Sequence, residues 1–477
     1  MSDPLSDLYN ACDPLKPATA DFYVDSDEAR GSLDFSLQFL NELKRINGSF
    51  LTRLFTGHLG CGKSSELHHL AERLRNPSPV IGDRRYFPII LDAEQFVDTY
   101  DVTPTDVLLS VLARVAQELE GIGIKLQDHF LWRRLVKNTN FLKEFFLSEI
   151  EVPKEIEVEK EFPLAKVTAR FGLLKSDPTN RQIVREALGR DTSQLKLEIQ
   201  LQLEKARGRL QKQGYSDFVL ILDNLEKINR VQGLEDGYQS HRQFFIESAS
   251  QLTNLGAHVV YTVPLPLVIR DGRDLATCYG TRPFVLPMIK IENRPPKRGP
   301  HEEGRTTLRK IIEKRAGGRT QLDKTIAGDA LNLLVDFCGG HTRQLITSVR
   351  YAASQTAGPL IALKDARRAN AEMVALYATM PRRFYPKLAE LELHPYQDID
   401  SGDPDIQTML EQLIVLEYRN GNGSTDDNSR EKPWYAVHPV IRTFPAFLDR
   451  VEELKKTRKT RGKSQAAPKS RKKPPKS

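Results

Sequence analysis

Residues 51–67 read LTRLFTGHLGCGKSSEL and decide the fold of this 477-residue chain. The apolar run at the start of this stretch stops at Gly57 and passes through Gly57-x-x-x-x-Gly62-Lys63-Ser64 into residues that favour a helix. Glycines at this spacing let the backbone curl around an anion, with the positive end of the following helix behind it. The pattern therefore predicts a phosphate-binding loop in which Lys63 reaches the β- and γ-phosphates and Ser64 binds magnesium.

The nucleotide contacts are expected to come from the loop and from the first residues of the helix. They are Gly57, His58, Leu59, Gly60, Cys61, Gly62, Lys63, Ser64 and Ser65. Cys61 has two interpretations: a small residue that fills space, or a redox-sensitive thiol whose pKa is lowered by the helix end.

A second magnesium ligand is expected in FVLILDNLE, residues 218–226. Five consecutive apolar residues predict a strand buried on both faces of a parallel sheet, and Asp223 stands at its carboxyl end, where ligands of such sheets bind. Asp223 would hold the metal, and Glu226 could polarise the attacking water. The alternative is that Asp223 only caps the following turn.

Strands alternate with helices over the first part of the chain, which predicts an α/β fold with a doubly wound parallel sheet. Expected strands lie at 50–56, 86–96, 217–222, 258–267 and 281–291, within a core domain of residues 1–292. Residues 121–180 interrupt the alternation and are interpreted as an insertion that contains a helix and a small hairpin.

The remainder is expected to be helical. A Pro-rich linker at 293–303 precedes an all-α lid at 304–395. In residues 396–450 a helix is followed by two extended segments around a polar turn, which is typical of a winged-helix-like domain. Residues 451–477 are basic and are expected to be a disordered tail.

The net charge of +7 lies at one end of the chain. Residues 455–477 contain eleven Lys or Arg and no acid, which leaves 59 basic against 63 acidic residues in the remainder. This tail could bind nucleic acid by counterion release or serve only solubility. The absence of a long apolar run or an apolar N-terminal segment predicts a cytoplasmic protein with no membrane association. The four cysteines have no zinc or disulfide spacing.

Together, the phosphate loop, the Asp223 strand and the helical C-terminal part resemble P-loop ATPases of the AAA+ and STAND division. The layout is similar to that of origin-recognition-type ATPases and covers about residues 13–445. The resemblance implies that Thr262 senses the γ-phosphate from a strand end, and that Arg343 does so from a lid helix. The alternatives are an ordinary buried threonine and a surface arginine that caps a turn.

One departure from the family pattern concerns hydrolysis. Many AAA+ members carry the catalytic glutamate directly after the metal aspartate, but this chain has Asn224 there, and its next acid is Glu226. An arginine finger from a neighbouring subunit could come from Arg181, Arg185, Arg190 or Arg242, and nothing in the sequence chooses among them.

The resemblance implies binding of ATP and Mg²⁺, with hydrolysis coupled to movement of the lid. Three classes of function stay open: a bacterial signalling or defence ATPase that acts with a protein partner or as a homo-oligomer, an ATPase that loads or remodels complexes on DNA, and a nucleotide-binding scaffold without turnover. Few basic residues occur in 404–444, which favours a protein contact over a DNA contact for the winged-helix-like domain.

Overall fold

The structure is a computed structural model that describes residues 3–31, 34–128, 162–163, 175, 177–188, 193–228, 234–294, 298–394, 399–420 and 433–465. The chain divides into two compact units. The sheet unit comprises Lys16–Tyr23 and Leu33–Leu286, and the helical unit comprises Met1–Leu15, Val24–Ser32 and Pro287–Ser477.

The elements up to residue 286 belong to the sheet unit, except the first two helices, which belong to the helical unit. In chain order they are α1 Pro4–Ala11, α2 Asp27–Arg30, α3 Phe35–Arg45, β1 Thr52–Gly57, α4 Lys63–Arg75, β2 Tyr86–Asp92, α5 Ala93–Phe96, α6 Pro104–Gly121, β3 Gln127–Asp128, β4 Phe162–Pro163, α7 Pro178–Leu188, α8 Ser193–Lys212, β5 Asp217–Asp223, a 3₁₀ turn Leu225–Lys227, α9 Leu234–Arg242, a π-helical turn Gln243–Glu247, α10 Ala249–Leu252, β6 His258–Thr262, α11 Leu265–Tyr279 and β7 Phe284–Leu286.

The predicted parallel sheet is confirmed. Five strands lie in the order β2-β5-β6-β1-β7, and every neighbouring pair is parallel. Parallel neighbours need crossover connections, which the intervening helices supply. Every residue of β6 is buried, as are all of β5 except its first residue, because helices cover the sheet. The fold is therefore an α/β P-loop fold, with the carboxyl ends of β1 and β5 on the same edge.

Three predicted strands were too long, and of the one expected at 281–291 only Phe284–Leu286 is a strand. The strand expected at 258–267 ends at Thr262, because Pro264 and Pro266 suit the start of a helix and α11 begins at Leu265. The strand expected at 86–96 ends at Asp92, whose side chain caps the short helix α5. The helix and hairpin predicted within residues 121–180 fall largely outside the described residues.

The elements after β7 belong to the helical unit. They are α12 Glu302–Arg315, α13 Arg319–Thr325, α14 Gly328–Phe337, α15 Thr342–Gln355, α16 Leu363–Tyr377, a 3₁₀ turn Arg382–Phe384, α17 Tyr385–Leu393, α18 Pro404–Glu411, β8 Val415–Tyr418, β9 Trp434–Val437, a 3₁₀ turn Ile441–Thr443 and α19 Pro445–Gln465.

Two N-terminal segments do not group with the sheet unit. Residues 3–15 and 24–31 group with the helical unit, because Leu5 and Leu8 of α1 are buried in one hydrophobic cluster with Leu308 and Leu345. An amphipathic N-terminal helix can bury its apolar face against elements that are distant in sequence. The residues predicted to form the lid and the winged-helix-like region fall in the same unit, and their division into two domains stays a prediction.

The last part of the chain shows α18 followed by an antiparallel pair, β8 and β9. This is the helix and hairpin expected from the sequence, and its assignment as a winged helix stays a prediction. The tail differs from expectation, because α19 continues to Gln465 where disorder was predicted from residue 451. Glu452 and Glu453 pair with Lys455 and Arg450 within its first turns, and such pairs favour a helix.

No helix in the described ranges has both the length and the apolar character needed to cross a membrane.

Candidate functional site

The backbone between β1 and α4 forms the predicted tight loop. Gly60 and Gly62 have φ angles of 81° and 111°, in the left-handed region that favours glycine, and α4 begins directly after Gly62. A Cβ atom at Gly57 would lie 2.6 Å from the carbonyl oxygen of Leu286 on the neighbouring strand. These glycines are therefore required by backbone geometry.

Lys63 lies under this loop with its ammonium group fully engaged. Its Nζ donates to the carbonyl oxygens of Gly57 and His58, both at 3.1 Å, and forms an ion pair with Oε1 of Glu226 at 2.9 Å. Burial by itself would lower the pKa of Lys63, but the charge of Glu226 raises it above the ordinary value. The side chain is therefore a buried cation with a counter-ion close at hand.

Asp223 stands at the carboxyl end of β5, as predicted. Its carboxylate accepts a hydrogen bond from the Ser64 hydroxyl and another from the backbone N–H of Asn224 at 2.8 Å. Burial, followed by the negative charge of Glu226, raises the pKa of Asp223 to about 6. The structure therefore places the two predicted magnesium ligands, Ser64 and Asp223, in contact.

Glu226 lies on the 3₁₀ turn that follows β5. Burial alone would raise its pKa, but the ammonium of Lys63 and the nearby Thr262 hydroxyl hold the pKa below the ordinary value. Its second oxygen, Oε2, is buried and has no hydrogen-bond partner among the described residues. A buried carboxylate oxygen without a partner is costly, so this atom is an acceptor site for a donor such as water.

Thr262 is fully buried at the carboxyl end of β6. Its Oγ1 accepts a hydrogen bond from the N–H of Leu225 at 2.9 Å and lies 3.3 Å from the carbonyl oxygen of Leu222. Thr262 thus holds the turn that carries Glu226, which supports a structural role. Its predicted role as a γ-phosphate sensor stays a prediction.

Arg343 is the second residue of α15 and belongs to the helical unit. The start of α15 is capped by His341, whose Nδ1 accepts a hydrogen bond from the N–H of Gln344 at 2.9 Å. The assignment of Arg343 as a γ-phosphate sensor stays a prediction.

The other loop positions differ in exposure. His58 and Cys61 are buried, whereas Leu59 and Ser65 are half-buried. The Cys61 thiol lies 3.9 Å from the carbonyl oxygen of Leu286, in the place of a small space-filling residue. The Oγ of Ser65 accepts a hydrogen bond from the N–H of Ala18 at 2.9 Å, so Ser65 holds the N-terminal segment of the sheet unit against α4.

Three of the candidate finger arginines form ion pairs with acids of the same chain. Arg181 pairs with Asp98 and Asp101, and Arg185 pairs with Asp101 and Asp106. These contacts attach α7 to the loop before α6 and to the first turn of α6. Arg242 pairs with Glu247 and Asp274, and Arg190 lies outside the described residues.

One contact at this edge was missed by sequence reasoning. The side-chain amide of Asn224 donates to Oδ1 of Asp92 at 2.8 Å, and Asp92 ends β2 directly opposite Asp223 in the register of β2 and β5. A signal was available, because YFPIILD and FVLILD are both apolar runs that end in aspartate.

The donor set fits a nucleotide with its metal. Mg²⁺ takes few protein ligands, all of them oxygen, and the remainder from phosphates and water, which the hydroxyl of Ser64 and the carboxylate of Asp223 match. No cluster of three or more His, Cys, Asp or Glu is found in the described part of the chain, so an all-protein metal cage is not present there. The loop glycines and Lys63 fit the phosphates.

The sheet order and the phosphate loop define the class of protein: an α/β P-loop fold with a helical unit. No protein-family model matches the chain, and no curated protein sequence matches it. Along most of its length the chain is similar to solved structures of origin-recognition-type P-loop ATPases.

Three solved structures show the extent of the similarity. Cdc6p from Pyrobaculum aerophilum is 13% identical over 93% of this chain and 98% of its own, with a TM-score of 0.37. A Walker-type ATPase of Pyrococcus abyssi is 13% identical over 92% of this chain and 99% of its own, with a TM-score of 0.42. The ORC2 protein of Aeropyrum pernix is 12% identical over 94% of this chain and 98% of its own, with a TM-score of 0.39.

Proposed function

We propose that this chain binds ATP with Mg²⁺ at the loop of residues 57–65 and hydrolyses it as a molecular switch. The observation that carries the proposal is the buried ion pair of Lys63 and Glu226, which lies beside the contact of Ser64 with Asp223. One edge of the sheet thus carries a cation for the phosphates (Lys63), two oxygen ligands for the metal (Ser64 and Asp223) and a carboxylate for the attacking water (Glu226).

Each of these residues has its own role. Lys63 replaces its ion pair with Glu226 by contacts with phosphate oxygens, and it keeps its hydrogen bonds to the carbonyl oxygens of Gly57 and His58. Ser64 and Asp223 would hold the metal, which supplies charge neutralisation for the phosphates when it is bound. Because burial raises the pKa of Asp223 to about 6, metal binding at mildly acidic pH would release a proton from this carboxyl group.

Glu226 can orient the attacking water once its ion pair with Lys63 is broken. A buried carboxylate without its counter-ion is strongly destabilised, so Glu226 then accepts a hydrogen bond from a water molecule and orients it towards the γ-phosphate. The free Oε2 gives this water a place to bind. Binding of the phosphates and activation of water are therefore coupled through one ion pair.

The first test is nucleotide binding and phosphate release by the purified chain. The wild type should bind a fluorescent ATP analogue in the presence of Mg²⁺ and release phosphate, Lys63→Ala should do neither, and Asp223→Asn should lose the Mg²⁺ dependence of binding. Binding with background-level phosphate release from all three proteins would leave the scaffold class standing and remove hydrolysis from the proposal.

For the process controlled by the switch, we propose signalling or defence through a protein partner or a homo-oligomer. The supporting observation is that Arg442 of the winged-helix-like region is held by Glu292 and Glu392, so this basic residue is neutralised within the chain. Size measurement with ADP and with a non-hydrolysable ATP analogue tests the proposal. A single species in both states, at all concentrations, would contradict assembly control.

The second candidate is action on DNA, which α19 favours. This helix extends into the basic segment 455–465, and a basic helix can contact the phosphates of nucleic acid. If DNA is the substrate, duplex DNA should raise turnover, binding should weaken steeply with salt, and deletion of 455–477 should reduce the salt slope. The absence of any DNA effect at low salt would eliminate this candidate.

A further inference from the structure

The turn that carries Glu226 is held on one side by a side chain of β6 and on the other side by side chains of β2 and α5. On one side, Thr262 accepts the hydrogen bond from Leu225. On the other side, Asp92 accepts the side-chain hydrogen bond from Asn224 at 2.8 Å, and Glu94 forms an ion pair with Lys227. Within the described part of the chain, no hydrogen bond or ion pair joins the side chain of Asp92 or Glu94 to the phosphate loop or to Lys63.

The carboxylate of Asp92 is oriented by two hydrogen bonds in addition to the one from Asn224. Its Oδ1 also accepts the backbone N–H of Glu94 at 3.1 Å, and its Oδ2 accepts the side-chain amide of Gln95 at 3.0 Å. These bonds cap the short helix α5. The carboxylate therefore offers Asn224 an acceptor whose direction is set by β2 and α5.

The backbone of Asn224 needs such support. Its φ is 62°, in the left-handed region that asparagine tolerates better than most residues, and its N–H donates to the metal-side carboxylate of Asp223. This left-handed residue turns the chain between Asp223 and Glu226. A change in its side-chain bond would therefore rotate the turn and move the carboxylate of Glu226.

We propose that Asp92 and Glu94 are positioning residues of the site: through Asn224 and Lys227 they set the place where Glu226 meets Lys63 and the water. This inference rests on the proposed hydrolysis. It also explains the departure at Asn224, where many AAA+ members carry an acid. An amide at this position donates to Asp92, whereas a carboxylate there would face Asp92 with like charge.

The experiment compares Asp92→Ala, Asn224→Ala and their double variant by phosphate release and by binding of a fluorescent ATP analogue. Each single variant should lower turnover by about 10- to 100-fold, with a change in Kd below about threefold, because misplacement affects the reacting geometry more than phosphate binding. The double variant should lose no more than the worse single variant. Asp92→Asn keeps an acceptor oxygen and should retain most of the turnover.

A matched control is Asp3→Ala, which removes a helix-capping aspartate in the helical unit and should leave turnover unchanged. Amide hydrogen exchange gives a second readout, in which Asp92→Ala should raise exchange at Leu225 and Lys227 by about tenfold. Unchanged turnover together with unchanged exchange, or additive losses in the double variant, would overturn the positioning role.

Different results would contradict ATP hydrolysis and the positioning role of Asp92 and Glu94. A wild type that binds ATP and never releases phosphate contradicts the proposed function alone. In that case, accelerated exchange at Leu225 and Lys227 in Asp92→Ala supports the positioning role, and unchanged exchange overturns it.

Discussion

Lys63 and Glu226 form a buried ion pair, with Nζ 2.9 Å from Oε1 and less than a tenth of either side chain exposed to solvent. The residue expected to bind phosphate is thus held by the residue expected to activate water. Each function therefore depends on the separation of this pair.

Replacement of Glu226 by Gln should strengthen nucleotide binding. A neutral amide binds the ammonium of Lys63 less tightly than a carboxylate does, so the phosphates displace the side chain of residue 226 from Lys63 more easily. We expect the Kd for an ATP analogue to fall about fivefold, which corresponds to about 1 kcal/mol. Fluorescence titration measures this, with Asp223→Asn as a control that should bind the magnesium complex more weakly. A Kd that is unchanged or higher in Glu226→Gln would show that the pair does not oppose binding.

Loss of one partner should destabilise the sheet unit more than loss of both. Lys63→Met leaves Glu226 as an uncompensated buried charge, and we expect a cost of about 3 kcal/mol. Lys63→Met with Glu226→Leu removes both charges and should recover most of that loss. Hydrogen exchange at the β5 amides reports the sheet unit alone. Equal destabilisation in the single and double variants would contradict the buried-pair account.

The left-handed backbone of the loop makes a further prediction. Gly62→Ala should cost about 1 kcal/mol in stability and weaken nucleotide binding at least tenfold, because the strained loop no longer directs its N–H groups at the phosphates. Gly82→Ala is a matched control, since Gly82 also has a positive φ, of 66°, and has no heavy atom within 4 Å of an added Cβ. Similar losses of nucleotide binding in the two variants would show that general destabilisation is the cause.

His438 predicts acid sensitivity of the helical unit. Its Nδ1 accepts the N–H of Val440 at 3.2 Å, so its Nε2 carries the proton and donates to Oε1 of Gln344 at 2.9 Å. Burial, with the charges of His341 and Arg442, lowers the pKa of His438 to about 3.

The sign of the pH dependence follows from this neutral state. Between about pH 6.5 and 3 the unfolded chain binds a proton at His438 that the folded chain does not, so stability rises with pH in this window. From pH 6.5 to 5 this residue alone should cost about 2 kcal/mol. His438→Asn should reduce the pH slope of the unfolding free energy, whatever its effect at pH 7. An unchanged slope would contradict the assignment.

The sequence predicted local features well where one residue type was required by geometry. The helix expected after the phosphate loop is α4, which begins at Lys63 because Gly62 precedes it and Glu66 and the buried leucines follow at helical spacing. Asp223 and Ser64 could be paired from the sequence because a phosphate loop and an aspartate at a strand end occur together in one fold.

Long-range relations could not be predicted in the same way. The burial of α1 with helices of the C-terminal part depends on which apolar faces meet, and hydrophobic pattern alone does not specify the partner. The hydrogen bond of Asn224 to Asp92 depends on the order β2-β5 in the sheet. Strand order follows from the packing of crossovers, which local sequence leaves open.

The central claim, that Glu226 activates water after phosphates take its place on Lys63, is tested most directly by a single-turnover experiment. Wild type and Glu226→Gln are loaded with ATP and Mg²⁺, and the bound nucleotide is sampled over time. The account predicts conversion of bound ATP to ADP in the wild type and retention of ATP in Glu226→Gln. Equal rates of conversion in the two proteins, or intact ATP in both, would contradict it.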